Sequence, residues 1–175
     1  EAAYVHFGGN PLKAKNSHGE DAFLLEDYEE VRSLPFDTPI IGFNTGNFSV
    51  GTLRLWSTKE SPRNFELQKY NAGHLDQAAE NTSLTDVLYP NDNHETGKRI
   101  RLKQEFLLVS SSIQDIIQRH LRFYSDLSLF KEKVRIQIND THPALVIVEL
   151  MRILLKYHDY TWNDAWETTQ TVCSY

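Results

Sequence analysis

Apolar and polar positions alternate in the first third of the chain and recur at helical spacing in the rest. Residues 52–57 (TLRLWS) set Leu53 and Leu55 on one side and Thr52, Arg54 and Trp56 on the other, the two-residue period of a strand with two different faces. Gly46 and Gly51 bracket its approach as turn residues. Further strands are predicted over 3–7, 22–25 and 31–36, with Gly8-Gly9 and a polar stretch to Glu20 as a connection. After Pro62 the period lengthens. Short helices are predicted at 75–79 and 84–88, the second stopping before Pro90 because a residue preceding proline disfavours the helical conformation. One long helix follows over 98–124, its stripe carried by Ile113, Ile116, Ile117 and Leu121. The run VRIQI (134–138) predicts a strand that passes through Asn139 to His142 into a helix starting near Pro143. That helix is apolar on most sides to about residue 158, so burial against a sheet is expected. Thr161 with Asp164 resembles a capping box and opens a last helix, which the pattern carries through Cys173 to Tyr175.

Strands in the first part and strand-to-helix units in the second predict an α/β fold, a mixed sheet with flanking helices. The chain divides into a β-rich part (1–60), a helical part with a polar loop (61–130) and a strand–helix unit (131–175). The 175 residues, 40% hydrophobic and 24% charged, suit one globular domain. The net charge of −6 is spread along the chain without a basic cluster, which argues against nucleic acid. The apolar runs stop well short of the roughly 20 residues that span a bilayer, so no membrane is expected. A lone Cys173 has no intramolecular disulfide partner, which makes the cytoplasm the simplest expectation. The chain opens Glu1-Ala2-Ala3 without Met and stops in a helical pattern with no cap, so an internal segment of a longer protein is expected.

Candidate chemistry falls in two places. Asn139, Asp140, Thr141 and His142 stand at the end of a strand and the start of a helix, where open α/β sheets bind ligands and unpaired N–H groups favour an anionic or hydroxyl-rich one. Helix capping alone would also account for Asp140 or Thr141. The second place is the loop 90–97, where Asn91, Asp92, Asn93, His94 and Glu95 can donate to and accept from several hydroxyls at once; a solvated turn is the plainer account of the same residues. Asp140, His142, His94 and Glu95 would suit a divalent ion, yet no HExxH spacing supports a metal site, and none is assigned. Ser110 to Ser112 lack a GxSxG elbow, and neither GxGxxG nor a Walker motif is present.

The runs PFDTPIIGF (35–43), LRLWSTK (53–59), VLYPNDN (87–93), RLKQEF (101–106), QDIIQR (114–119), IQINDTHPALVIVELMR (136–152) and the terminal WNDAWETTQTVCSY resemble, in order, the glycogen (α-glucan) phosphorylase family. The resemblance implies a segment of the N-terminal, doubly wound domain of a GT-B glycosyltransferase. It implies a parent enzyme that transfers a glucosyl unit from an α-1,4-glucan to phosphate, giving glucose 1-phosphate, with pyridoxal phosphate relaying a proton through its own phosphate. By position it makes Asp92, Asn93, Asp140 and His142 substrate-binding residues, with Asn93 on the glucosyl unit, and no catalytic residue falls in this chain. The attachment lysine, the basic phosphate site and the glycine-rich loop of the family have no counterpart here, so the chain alone is expected to be inactive. A glucan-binding or interaction module without catalysis is the alternative, and a metal-dependent hydrolase using Asp140 and His142 a third. A homodimeric parent is implied, although the dimer-contacting helix near Leu75 reads about a turn shorter. Gln118-Arg119 stands where AMP-responsive members carry tandem arginines, and His94 replaces an aromatic that stacks purines, so neither property is carried over.

Overall fold

The computed structural model describes residues 1–43, 46 and 49–175. Strand β1 (Ala3–Phe7) is followed by a hairpin of β2 (Asn10–Lys15) and β3 (Asp21–Glu26), then β4 (Glu29–Ile41) and β5 (Val50–Ser57). β1 pairs antiparallel with the first part of β4, Ala3 opposite Ser33, and β5 pairs antiparallel with the rest, from Leu34 opposite Ser57 to Ile41 opposite Val50. The thirteen-residue β4 thus serves two partners in succession along its length.

β2 is the strand that the apolar pattern does not signal. Pro11, Leu12 and Lys13 are all exposed, so no alternation marks it. The strand is held by its antiparallel pairing with β3 and by Lys13 and Lys15, which both meet Asp21 at 3.0 and 2.5 Å. At the hairpin's turn, Gly19 takes φ +77 and donates to the Asn16 carbonyl. The turn docks on the far end of the molecule: Ser17 and His18 contact Asp159, and Glu20 accepts from the Trp162 N–H at 3.2 Å. The Asp159 carbonyl at 2.8 Å from His18 Nε2 raises that imidazole's pKa above the ordinary 6.5. A raised pKa contributes docking energy that is complete below the unfolded value and lost as pH rises through the folded one. Amide exchange at 16–20, corrected for its intrinsic pH dependence, is therefore expected to be less protected at pH 8 than at pH 6; equal protection would remove His18 from the account.

The helical part begins with α1 (Leu67–Asn71) and α2 (Leu75–Ser83), and residues 84–88, predicted helical, form turns instead. The long α3 (Glu95–Leu121) starts three residues before the expected Lys98, because His94 caps it by accepting the Gly97 N–H on Nδ1 at 3.0 Å. A short α4 (Phe130–Lys133) leads to β6 (Ile136–Gln137), and a 3-10 turn (His142–Leu145) leads into α5 (Val146–Tyr157). Helix α6 (Trp162–Val172) opens on the Thr161 cap, whose hydroxyl accepts from the Asp164 N–H at 3.2 Å. The chain then leaves the helix: β7 (Cys173–Ser174) pairs parallel with β6, Ile136 opposite Cys173, so Cys173 lies on a strand and not on the predicted helix. Burial there raises its thiol pKa.

The fold is α/β, but the parallel pair and the antiparallel strands fall in three separate small sheets among the described residues, not in one mixed sheet. Two cores share α3. Leu107 packs with Val5, Val31 and Leu84 under the β1–β4 strands, while Val109, Ile113 and Ile117 pack with Phe130, Leu150, Leu154 and Val172 in the helical layer. α5 buries its apolar side mainly against α3 and α6, with Ile136 and Cys173 of the small parallel pair in the same cluster, where burial against a sheet was expected. The face of β5 that meets α3 is the one carrying Arg54 and Trp56: Arg54 ion-pairs with buried Asp115, and Trp56 Nε1 donates to Ser112 Oγ at 3.1 Å. Leu53 and Leu55, with Phe36 and Ile40 beside them on β4, face outward and are about half exposed. No described helix is long and apolar enough to cross a membrane.

Candidate functional site

The two polar runs meet beside α3. The 91–93 loop arrives from the turns after α2 and is seated on the first turn of α3. Buried Gly97 permits the close approach, since a Cβ there would lie 1.9 Å from the Asn91 carbonyl oxygen. The Asn91 side chain accepts the Asn93 N–H at 3.0 Å, a local Asx turn that shapes the loop. Arg101, one turn further along α3, donates to Asp92 at 2.9 Å and to Glu105 at 3.4 Å. The Asn93 carboxamide makes no hydrogen bond among the described residues and is exposed.

The second run follows β6. Asp140 adopts φ +70, and its carboxylate accepts from the Thr141 N–H at 2.6 Å and from the Thr141 hydroxyl at 3.3 Å. Those bonds, the backbone one first, hold its pKa below the ordinary carboxylate value, so Asp140 is an exposed anion at neutral pH. Thr141 makes no side-chain cap, and Pro143 stands inside a 3-10 turn instead of opening the α-helix directly. His142 is half-buried and reaches the first run through Tyr89, whose ring meets its imidazole edge-on at 6.0 Å.

Between them lies a half-open cavity of about 280 Å³ lined by Tyr89, Arg101, Glu105, His142, Ile116 and Ile138, among others. Of the four residues singled out from the sequence, His142 lines it, and Asp92 is tied to it through Arg101. Asn93 and Asp140 stand exposed outside the lining, and among the described residues no hydrogen bond or ion pair joins them to the others. Tyr89 and Arg101 are the site residues that residue-by-residue reading missed. The signals were an aromatic just before Pro90 and an arginine nine positions after Asp92.

Among the described residues the cavity carries one cation, itself engaged by two carboxylates, and one imidazole, on walls that are otherwise mostly apolar. No lysine lines it, so pyridoxal phosphate would find no amine there to hold its aldehyde. Nor do three His, Cys, Asp or Glu side chains gather for a metal among the described residues; His94, one of the metal-compatible residues of the sequence, has Nδ1 engaged as a helix cap. Further along α3, Arg119 pairs with Asp115 at 2.9 Å and Gln118 is half-buried.

The α/β chain thus brings its two polar runs together through Tyr89 and His142 at one candidate site. The chain belongs to the carbohydrate phosphorylase family, whose model matches residues 1–175. It is 42% identical over 175 residues to the glycogen phosphorylase of Chlamydia trachomatis serovar D, an alignment that takes in 98% of this chain and 21% of that protein. It is 42% identical over 183 residues to the brain form of glycogen phosphorylase from Mus musculus and 41% over 186 residues to that from Homo sapiens, again covering 98% of this chain and 21% of each relative. The chain thus spans about a fifth of the length of the curated relatives it matches.

Proposed function

We propose that this chain is a segment of an α-glucan phosphorylase, within the N-terminal doubly wound domain of a GT-B enzyme, and that it supplies glucan-binding groups but not the complete reaction. The full-length enzyme transfers a glucosyl unit from an α-1,4-glucan to phosphate and releases glucose 1-phosphate. The observation that carries the reading is the meeting of the two family-like runs, VLYPNDN and NDTHP, around one cavity through Tyr89 and His142. In that role Asn93 offers an unengaged carboxamide to sugar hydroxyls. His142 and the anion of Asp140 orient the ring and favour the positive charge that develops at the reacting carbon. Asp92 is kept in place by Arg101. Pyridoxal phosphate belongs to the full-length enzyme, held by a lysine elsewhere in it, where its phosphate supplies proton-transfer chemistry. The enzyme acts as a homodimer in the cytoplasm.

The test is phosphate-dependent release of glucose 1-phosphate from maltoheptaose, run on the full-length protein and on residues 1–175 with pyridoxal phosphate added to both. Activity in the first and none in the second is expected, and Asn93→Ala in the full-length protein should lower kcat/KM roughly tenfold, as for a hydrogen bond lost to substrate. A full-length protein that binds maltoheptaose and releases no glucose 1-phosphate would leave a glucan-binding module.

A further inference from the structure

We propose that Tyr89 is a positioning residue that ties the 91–93 loop to His142, so that the loop and the imidazole face the glucan as one unit. The inference rests on the glucan-binding reading of this site. Four observations converge on Tyr89. Its φ is +55, although it precedes Pro90, where a residue ordinarily stays extended. A non-glycine residue in the left-handed region carries strain and persists where its surroundings hold it. The edge-on contact with His142 lies at 6.0 Å with the rings at 84°. The Arg101 guanidinium carbon lies 5.7 Å from the same ring's centroid, and Arg101 in turn holds Asp92 at 2.9 Å.

The result is a continuous connection, Asp92 to Arg101 to Tyr89 to His142, between two runs of sequence separated by α3 and β6. Each link has a physical basis: a charge-assisted hydrogen bond, a cation near an electron-rich ring, and a perpendicular aromatic pair. The His142 imidazole makes no hydrogen bond among the described residues, so its orientation depends on packing, and the Tyr89 ring supplies the aromatic part of that packing. The guanidinium serves both carboxylates through different nitrogens, Nη1 donating to Asp92 and Nε to Glu105 at 3.4 Å. The Tyr89 ring is a third contact on the same guanidinium, which joins the ring to the seat of the loop.

The experiment uses the full-length enzyme loaded with pyridoxal phosphate and compares Tyr89→Leu with Tyr89→Phe. Tyr89→Leu is expected to lower kcat/KM for maltoheptaose by roughly tenfold, the combined size of the two ring contacts. Tyr89→Phe, which keeps the ring, is expected to retain at least half of it. In an Asp92→Asn background the Tyr89→Leu loss should shrink to about twofold, because the tie has already been weakened. A merely structural residue would give the same loss in both backgrounds, and that additivity, or a Tyr89→Leu enzyme within about twofold of wild type, overturns the proposal. Tyr89→Met serves the same comparison if Tyr89→Leu does not fold. Amide exchange at 91–93 separates this idea from the one beneath it. If the wild-type enzyme releases no glucose 1-phosphate, the phosphorylase reading fails, while faster exchange in Tyr89→Leu than in Tyr89→Phe still upholds the tie, and equal exchange overturns it.

Discussion

Gly97→Ala in the full-length enzyme is expected to reduce kcat/KM by about a hundredfold, the size of effect that a displacement of roughly 1 Å in a positioned site produces. Alanine is the better helix former by about 1 kcal/mol, so on propensity alone the change in the first turn of α3 should be harmless or stabilising. The obstacle is the seat of the loop: the added Cβ would stand 1.9 Å from the Asn91 carbonyl oxygen and 3.0 Å from His94 Cε1. Backbone cannot yield as a flexible side chain does, so the loop carrying Asp92 and Asn93 must lift. Kinetics near wild type, with a normal thermal midpoint, would mean that the loop is not seated on α3 when the enzyme works.

The second large effect concerns stability. Glu149→Ala is expected to destabilise the full-length protein by about 3 kcal/mol, the lower end for breaking a buried ion pair, because the Arg152 partner keeps some contact with water. Glu149 is 1% exposed; it takes Arg152 Nε at 2.6 Å and Nη2 at 2.8 Å, and accepts the Ser110 hydroxyl at 2.5 Å. Its pairing raises the Arg152 pKa against the desolvation that would lower it. Removing the carboxylate leaves the Arg152 guanidinium without its partner on α5 and Ser110 of α3 without its acceptor. Thermal denaturation should show a clear drop for Glu149→Ala and a smaller one for Glu149→Gln, which still accepts from Ser110. Equal midpoints in all three proteins would place the strength of the α3–α5 contact in its apolar packing alone.

Elements with strong periodicity were legible in the sequence: β1, β5, α3 and α5 lie where alternation or helical spacing put them, and the Thr161 cap was visible as a Thr-x-x-Asp pattern. What escaped lacks an apolar signal or depends on distant partners. β2 exists because it pairs in register with β3 across a hairpin, and β7 because Cys173 pairs with Ile136, across α5 and α6. At the site, the polar runs could be read, and His142 does line the cavity. The roles of Tyr89 and Arg101 could not, since they follow from a left-handed backbone and from where α3 passes. The polarity of β5 was legible only as two faces. That the Arg54 face turns inward depends on Asp115, an acid buried on another element.

The sharing of α3 by both cores also has a consequence for how the chain is made. Val5 and Val31 emerge from the ribosome long before Leu107, the helix residue that closes over them. At ordinary rates of synthesis the interval from Val31 to Leu107 is on the order of 4–15 s. During that time the nascent antiparallel strands have one apolar face waiting for its cover, a natural point for a chaperone to hold the growing chain.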